Sequence, residues 1–130
     1  MSIFVADNFS SSKIESVSFC SQNLEVCCIK TKIHGNDLRI VGVYRPHGGN
    51  IESFISELES VLNEGSMTNK SVIVLGDFNI DLVGENNEND RNLLMNLMYS
   101  FHFIPVISNS KPTRFLVIFL KHPPSLIIYG

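Results

Sequence analysis

Short apolar runs separated by polar turns dominate the first third of the chain. Residues 24–33 and 38–44 have the length and composition of β-strands, and residues 34–37 (His-Gly-Asn-Asp) between them form a turn signal. These two strands are predicted to pair as an antiparallel hairpin with a loop of about four residues. Residues 2–6 and 14–19 are predicted as two earlier strands.

Helical spacing replaces strand alternation after residue 50. Apolar residues recur three or four positions apart over residues 51–62, with Asn50 as the predicted N-cap and Gly65 as the predicted C′ residue. A second helix is predicted to begin near Asp90, after a polar loop over residues 83–90. Its predicted buried stripe is Leu93, Leu94, Leu97, Met98 and Phe101.

Further strands are predicted at residues 71–75 and 103–107, one after each helix. The order is therefore four strands, a helix, a strand, a second helix and a last strand. Antiparallel pairs followed by a β-α-β unit indicate a layered α/β or α+β sandwich.

The composition is that of one modest globular domain. The chain has 130 residues, of which 44% are hydrophobic and 18% charged. A net charge of -3 provides no basic surface from which to argue nucleic-acid binding. Cys20, Cys27 and Cys28 lack the spacing of a disulfide framework or a zinc site, so we expect buried thiols, with Cys27 and Cys28 on opposite sides of a strand.

The chain shows no leader-like segment and no apolar run long enough to span a bilayer. We therefore expect an intracellular protein, cytoplasmic or nuclear, that is not secreted and has no membrane partner. No obligate protein partner is evident from the sequence.

Polar side chains cluster at the ends of three predicted strands. A buried apolar run ends at Gly76, and Asp77 and Asn79 follow two residues apart. Residues i and i+2 of an extended segment point to the same side, so this carboxylate and this carboxamide can converge on a phosphate or a water. The other two clusters are residues 44–46 (Tyr-Arg-Pro) and 112–114 (Pro-Thr-Arg).

These residue types suit chemistry at a phosphodiester. Such chemistry needs a group that orients or deprotonates water, donors for the phosphate oxygens, and usually a divalent cation. Asp77 can act on the water. The candidate donors are Asn79, Tyr44 and Arg45, with Thr113 and Arg114 for flanking backbone phosphates.

Several of these candidate residues also have simpler structural interpretations. Asp77 and Asn79 can form a turn after a strand, and Tyr44 can be an aromatic residue at the edge of the core. Arg45 and Arg114 can be solvated surface charges.

Taken in order, Tyr-Arg-Pro at 44–46, Gly-Asp-Phe-Asn at 76–79 and Pro-Thr-Arg at 112–114 resemble the motifs of the endonuclease/exonuclease/phosphatase superfamily. The variant looks most like the endonuclease domain of LINE-type, non-LTR retrotransposons. This resemblance implies a four-layer α/β sandwich, with two mixed sheets packed face to face and helices outside. It also implies phosphodiester hydrolysis, with DNA as the partner and Mg²⁺ as the cofactor.

The resemblance also implies roles for individual residues. Asp77 would orient or activate the attacking water, and it is the one possible metal contact. Asn79 would hold both that aspartate and the scissile phosphate, and Tyr44 would bond the phosphate as charge builds. The implied substrate contacts are Arg45, Thr113 and Arg114.

The chain departs from the family at both ends. A strand with a catalytic Asn and a segment with a metal-binding Glu normally come first, and an Asp-His pair normally follows the Pro-Thr-Arg element; none of these motifs occurs here. The resemblance therefore covers residues 2–114 as a partial domain truncated at its N-terminus. Residues 115–130 form an atypical apolar tail.

The tail suggests a reading-frame shift near Phe115. Codons allowed for residues 115–130, read from the third base of the Phe115 codon, can spell a segment that contains Asp-His; the gene sequence tests this. An alternative to an active endonuclease is therefore an inactive remnant that lacks the metal-binding Glu and the terminal Asp-His. A further alternative is another phosphatase of the superfamily.

Overall fold

The computed structural model describes residues 11–13, 18–65, 67–80, 88–106 and 117–122. The predicted strand at 2–6 and most of the one at 14–19 lie outside these ranges. In chain order the elements are β1 (Ser11–Lys13), β2 (Phe19–Cys20), β3 (Glu25–Ile33), β4 (Asn36–Tyr44), α1 (Ile51–Leu62), β5 (Ser71–Asp77), α2 (Glu88–Ser100), β6 (Ile104–Val106) and β7 (Val117–Lys121).

All the described strands belong to one mixed sheet, in the order β1-β3-β4-β5-β7-β6, with β2 also paired to β3. β4 and β5 are parallel, and the other pairs are antiparallel. Because a parallel pair needs a crossover connection, α1 carries the chain from the end of β4 back to the start of β5. The predicted α/β class is confirmed, and the carboxyl ends of β4 and β5 lie side by side.

The β3–β4 hairpin closes through two residues, so the predicted four-residue loop is wrong. Ile33 pairs with Asn36, and the residues between them, His34 and Gly35, have φ values of 51° and 81°. Positive φ at both central positions is the type I′ turn, whose twist matches that of the flanking strands. Asn36 and Asp37 have turn composition but belong to β4.

Helix α1 begins as predicted and ends earlier than its predicted cap. The Asn50 side-chain oxygen accepts hydrogen bonds from the backbone N–H groups of Glu52 (2.8 Å) and Ser53 (3.1 Å). Asn63 is the C-cap residue, and its N–H donates to the Glu59 carbonyl. Gly65 is therefore not the C′ residue, because the helix stops without needing a left-handed glycine there.

Both helices pack on one face of the sheet and share one core with it. Alternate strand residues point into this core, as the period-two pattern requires. The predicted stripe of α2 is buried at Leu94, Leu97 and Met98 and partly buried at Leu93 and Phe101. The sheet residues of the core include Val26, Cys28, Val41, Val43, Val72, Val74 and Phe119.

The tail predicted to be atypical contributes β7 to this sheet, between β5 and β6. Phe119 on β7 is fully buried against the helices. The frame shift near Phe115 stays a prediction.

The sheet face opposite the helices is also apolar. Ile104 and Val106 of β6 are 66% and 53% exposed, and the neighbouring apolar side chains of the central strands are half-buried. A sheet with two apolar faces is the kind that is covered on both sides. The half-buried residues of this face include Leu38, Ile40, Ile73, Leu75, Ile118 and Leu120.

The cysteines are buried only in part. Cys28 is fully buried, and burial raises the pKa of its thiol to about 12. Cys27 points to the other side of β3 and is partly buried, as the alternation predicts. Cys20 is exposed, contrary to prediction, because it ends the two-residue strand β2.

Neither helix of the described chain has the length and apolar character needed to cross a membrane.

Gly76 permits the close approach of β5 to β4. A Cβ at this position would lie 1.8 Å from the Val43 carbonyl oxygen, a backbone atom held in the sheet.

We expect Gly76→Ala to lower the free energy of unfolding by roughly 1–3 kcal/mol or more, as overpacking does, in a urea titration. Gly65→Ala is the matched control, because Gly65 is exposed and nothing lies within 4 Å of a Cβ there. Equal losses for the two variants would contradict this account.

Candidate functional site

Tyr44 and Asp77 meet at the carboxyl ends of the two parallel strands. They are the last residues of β4 and β5, and they are register partners. Paired residues on neighbouring strands point to the same face, which here is the face opposite the helices. Both residues are half-buried, so each is positioned by the sheet while part of it reaches solvent.

Glu25 extends this row across a third strand. It is the first residue of β3 and the register partner of Tyr44. The order across the rim is therefore Glu25, Tyr44, Asp77. Glu25 does not stand out in the sequence as a site residue, although counting back from a two-residue turn at 34–35 places it opposite Tyr44.

A tight turn after β5 brings Asp77 and Asn79 together. The Asp77 Oδ1 atom accepts a hydrogen bond from the backbone N–H of Asn79 at 3.0 Å. Asn79 has a φ of 51°, in the left-handed region that asparagine tolerates better than most residues. Asp77 and Asn79 therefore form a turn after a strand, which was the simpler structural interpretation of these residues. The same turn places their two polar side chains at the rim.

The Asn79 side chain makes a different bond from the one that the family resemblance implies. Its Nδ2 donates a short hydrogen bond to the Arg45 carbonyl oxygen. The contact with Asp77 is made by the Asn79 backbone. The side-chain amide therefore ties the turn after β5 to the residue that follows β4.

Phe78 anchors this turn in the core. It lies between Asp77 and Asn79 and points to the helix side, where it is fully buried. Its ring packs edge to face against Phe54 of α1, with centroids 6.2 Å apart, and against Phe119 of β7, with centroids 5.9 Å apart. Burial of this ring fixes where its two polar neighbours emerge.

Arg45 lies on the inner side of the same turn. Its backbone N–H donates to the Asp77 carbonyl at 2.8 Å, and its Nη1 lies 3.5 Å from the Phe78 carbonyl and 3.4 Å from the Asn79 carbonyl. The guanidinium carbon stands 5.6 Å from the centroid of the Phe54 ring. The Nε atom is buried and has no hydrogen-bond partner among the described residues.

A small polar cleft opens beside Asn79, with a volume of about 220 Å³. Since a water occupies about 30 Å³ of liquid, the cleft can hold a small polar group with several waters. Its walls come from the β4–α1 connection, the turn after β5 and the first turn of α2. The lining residues are Arg45, Pro46, His47, Gly48, Asn79 and Asp90.

The structure brings four of the six predicted site residues together. Tyr44, Arg45, Asp77 and Asn79 share one end of the sheet, whereas Thr113 and Arg114 lie outside the described residues. Within the described part of the chain, no three His, Cys, Asp or Glu side chains form a group that could hold a metal ion.

Comparison with known proteins gives a match by structure and none by sequence. No protein-family model matches the chain, and no curated protein matches it. The chain is similar to the endonuclease domain of TRAS1, a telomere-specific non-LTR retrotransposon, with a TM-score of 0.68 and 16% sequence identity over 92% of this chain. The fold is that of an endonuclease domain.

This endonuclease-type fold confirms, at the level of the fold, the resemblance carried by the motifs. The match covers 56% of the TRAS1 domain, so the chain spans just over half the length of that domain. At 16% identity this similarity shows the fold alone.

The side-chain amide of Asn79 can be tested by changing it to a carboxylate. Asn79→Asp keeps a residue that tolerates positive φ, but it loses the donor to the Arg45 carbonyl and adds negative charge beside Asp77. We expect a loss of about 1–3 kcal/mol in the free energy of unfolding, because a partly buried acceptor is left without its donor.

The matched control for this change is Asn69→Asp. Asn69 also has a positive φ, of 58°, and it is exposed. We expect little change for this variant in the same urea titration. A loss at Asn69 as large as that at Asn79 would show that the effect is not due to the bond with Arg45.

Proposed function

We propose that this chain derives from a Mg²⁺-dependent DNA endonuclease of the retrotransposon type and hydrolyses phosphodiester bonds. One observation carries the proposal. The ends of the parallel strands β4 and β5 bring Tyr44, Asp77 and Asn79 to one rim of a fold that is similar to an endonuclease domain.

Asp77 is the proposed group that orients or deprotonates the attacking water. Its Oδ1 accepts the Asn79 N–H, and its other oxygen accepts no hydrogen bond from the described residues. The carboxylate is thereby held in one orientation while Oδ2 remains for a water. A general base must be held within hydrogen-bond reach of the water that it deprotonates before its pKa can affect the rate.

Tyr44 and Asn79 are the proposed donors to the scissile phosphate. The Tyr44 hydroxyl lies on the same face as Asp77 and can donate to a phosphate oxygen. The Asn79 amide has two hydrogens, and the bond to the Arg45 carbonyl uses one of them. The second hydrogen remains for the substrate, so the amide can position the loop and bind phosphate at once.

Thr113 and Arg114 remain proposed contacts for the phosphates that flank the cleavage position. The sequence predicts a substrate contact for Arg45 as well. The inward hydrogen bonds of its guanidinium do not favour that role.

Asp77 offers this rim one carboxylate for a loosely held magnesium ion. Mg²⁺ takes oxygen ligands and keeps several waters, with one or two carboxylates and substrate phosphates completing its coordination. Asp77 would hold it here, and Glu25 is the second carboxylate of the row. The cation, when bound, would stabilise negative charge on the phosphate oxygens.

A plasmid-nicking assay with Mg²⁺ tests the proposed activity. We expect Asp77→Asn to reduce the nicking rate about 100-fold or more, the usual contribution of a positioned general base. Asp37→Asn is the matched control, since Asp37 lies at the other end of β4, where it pairs with Lys70 at 3.2 Å. That variant should nick as the unmodified chain does. Nicking that survives Asp77→Asn would rule out this site.

The alternative function is DNA binding without cleavage, by an inactive remnant of such a domain. It is favoured by the lack of a group of three potential metal ligands within the described residues. Under this alternative the unmodified chain binds duplex DNA but produces no nicks at any Mg²⁺ concentration. Binding and nicking measured on the same preparation separate the two functions.

Magnesium binding can be measured directly by titration calorimetry. With one or two carboxylates at the rim, we expect binding that saturates only at millimolar Mg²⁺ and disappears in Asp77→Asn. Asp37→Asn should leave the titration unchanged. Binding in the micromolar range would contradict this expectation, because it needs a more complete set of protein ligands.

A further inference from the structure

We propose that Arg45 is a positioning residue, which fixes the Asp77–Asn79 turn from inside the protein, and that it does not contact DNA. Its effect on catalysis rests on the function proposed above. Its effect on the turn stands by itself, because it follows from contacts within this chain.

Three kinds of bond join Arg45 to the turn. Its backbone N–H holds the Asp77 carbonyl at 2.8 Å, and its own carbonyl accepts the Asn79 side-chain amide. Its Nη1 lies within long hydrogen-bond distance of the Phe78 and Asn79 carbonyls. One residue thus contacts the carbonyl of each of the three residues that form the turn.

The direction of the Arg45 side chain follows from the strand that immediately precedes it. Side chains alternate along β4, so Tyr44 points to the face opposite the helices and Arg45 points to the helix side, as Val43 does. Pro46 maintains this alternation, because a residue before proline is kept extended. The substrate rim and the Arg45 guanidinium are therefore on different sides of the backbone.

The surroundings of the guanidinium also indicate an internal role. Its carbon lies over the Phe54 ring at 5.6 Å, and Nε is buried. An arginine that contacts DNA would keep its donors toward solvent. Here the side chain lies over a core aromatic ring and directs a donor to the backbone carbonyls of Phe78 and Asn79. These carbonyls follow the last residue of β5, where the sheet no longer supplies partners.

The geometry calls for arginine in particular. A planar guanidinium can stack on a ring and donate in its own plane to two carbonyls, whereas the lysine ammonium is a compact, strongly hydrated charge that cannot do both. Loss of the guanidinium leaves the Phe78 and Asn79 carbonyls without this donor. The turn then loosens, and the bond between Asp77 Oδ1 and the Asn79 N–H opens more often.

Two readouts test the proposal in Arg45→Ala and Arg45→Lys. The first is hydrogen exchange of the Asn79 backbone amide, followed by NMR. We expect exchange at least about 10-fold faster in both variants, which corresponds to the loss of about 1.4 kcal/mol of local protection. Lys32→Ala is the control for the loss of one positive charge, since Lys32 is exposed on β3, and it should leave this rate unchanged.

The second readout is the salt dependence of duplex DNA binding. A residue that neutralises one phosphate contributes about 0.9 to the slope of log K against log salt. We expect no change of slope for Arg45→Ala, together with a fall in kcat at unchanged KM where nicking is measurable.

An Asn79 exchange rate unchanged in both variants would overturn the proposal, as would a slope lowered by about 0.9 in Arg45→Ala. If the alanine variant does not fold, Arg45→Lys decides by the same exchange measurement, and protection equal to that of the unmodified chain would refute the need for a guanidinium. If the chain neither binds nor cuts DNA, the proposed function fails, while the exchange rate still decides the role of Arg45.

Discussion

The candidate site depends on the burial of one aromatic ring, that of Phe78. Asp77 and Asn79 flank this residue, so fixing its ring in the core fixes where both polar side chains emerge. The ring meets Phe54 of α1 and Phe119 of β7 edge to face, and each such contact contributes about 0.5–1.5 kcal/mol beyond the burial itself. Exposed ion pairs such as Asp37–Lys70 contribute little by comparison. The anchor therefore determines the geometry of the rim more than any surface charge does.

The second requirement is that the ends of β4 and β5 lie close together. They do so because α1 makes the two strands parallel neighbours and because Gly76 has no Cβ to collide with the Val43 carbonyl. Tyr44 and Asp77 then share a register position. Beyond the strands, Arg45 and Asn79 are joined by hydrogen bonds to each other's carbonyl oxygens. Core packing, strand register and a polar turn thus converge on one short segment of chain.

Much of this arrangement could be predicted from local sequence pattern. Helical spacing and an Asn50 cap identified α1, and the abrupt end of an apolar run at Gly76 identified the rim. Contacts that depend on register or on packing between elements could not be predicted in this way. Because Asn36 and Asp37 have turn composition, the sequence pattern predicted a longer loop than the two-residue turn that closes the hairpin. The pairing of Glu25 with Tyr44 follows from that short turn and was therefore not predicted. The alternation of side chains along β4 would have predicted that Arg45 points to the helix side. Its charge and its place in a motif suggested a surface role for Arg45 instead.

We propose that the substrate binds at the ends of β4 and β5. The most direct measurement is an NMR titration of the amide signals with a short DNA duplex in Ca²⁺, which replaces Mg²⁺ so that cleavage does not intervene. We expect the largest changes in chemical shift at Tyr44 and residues 77–79, with little change at Asp37 and Lys70 at the other end of the sheet. Changes centred on that other end, or none at residues 77–79 under saturating DNA, would contradict it.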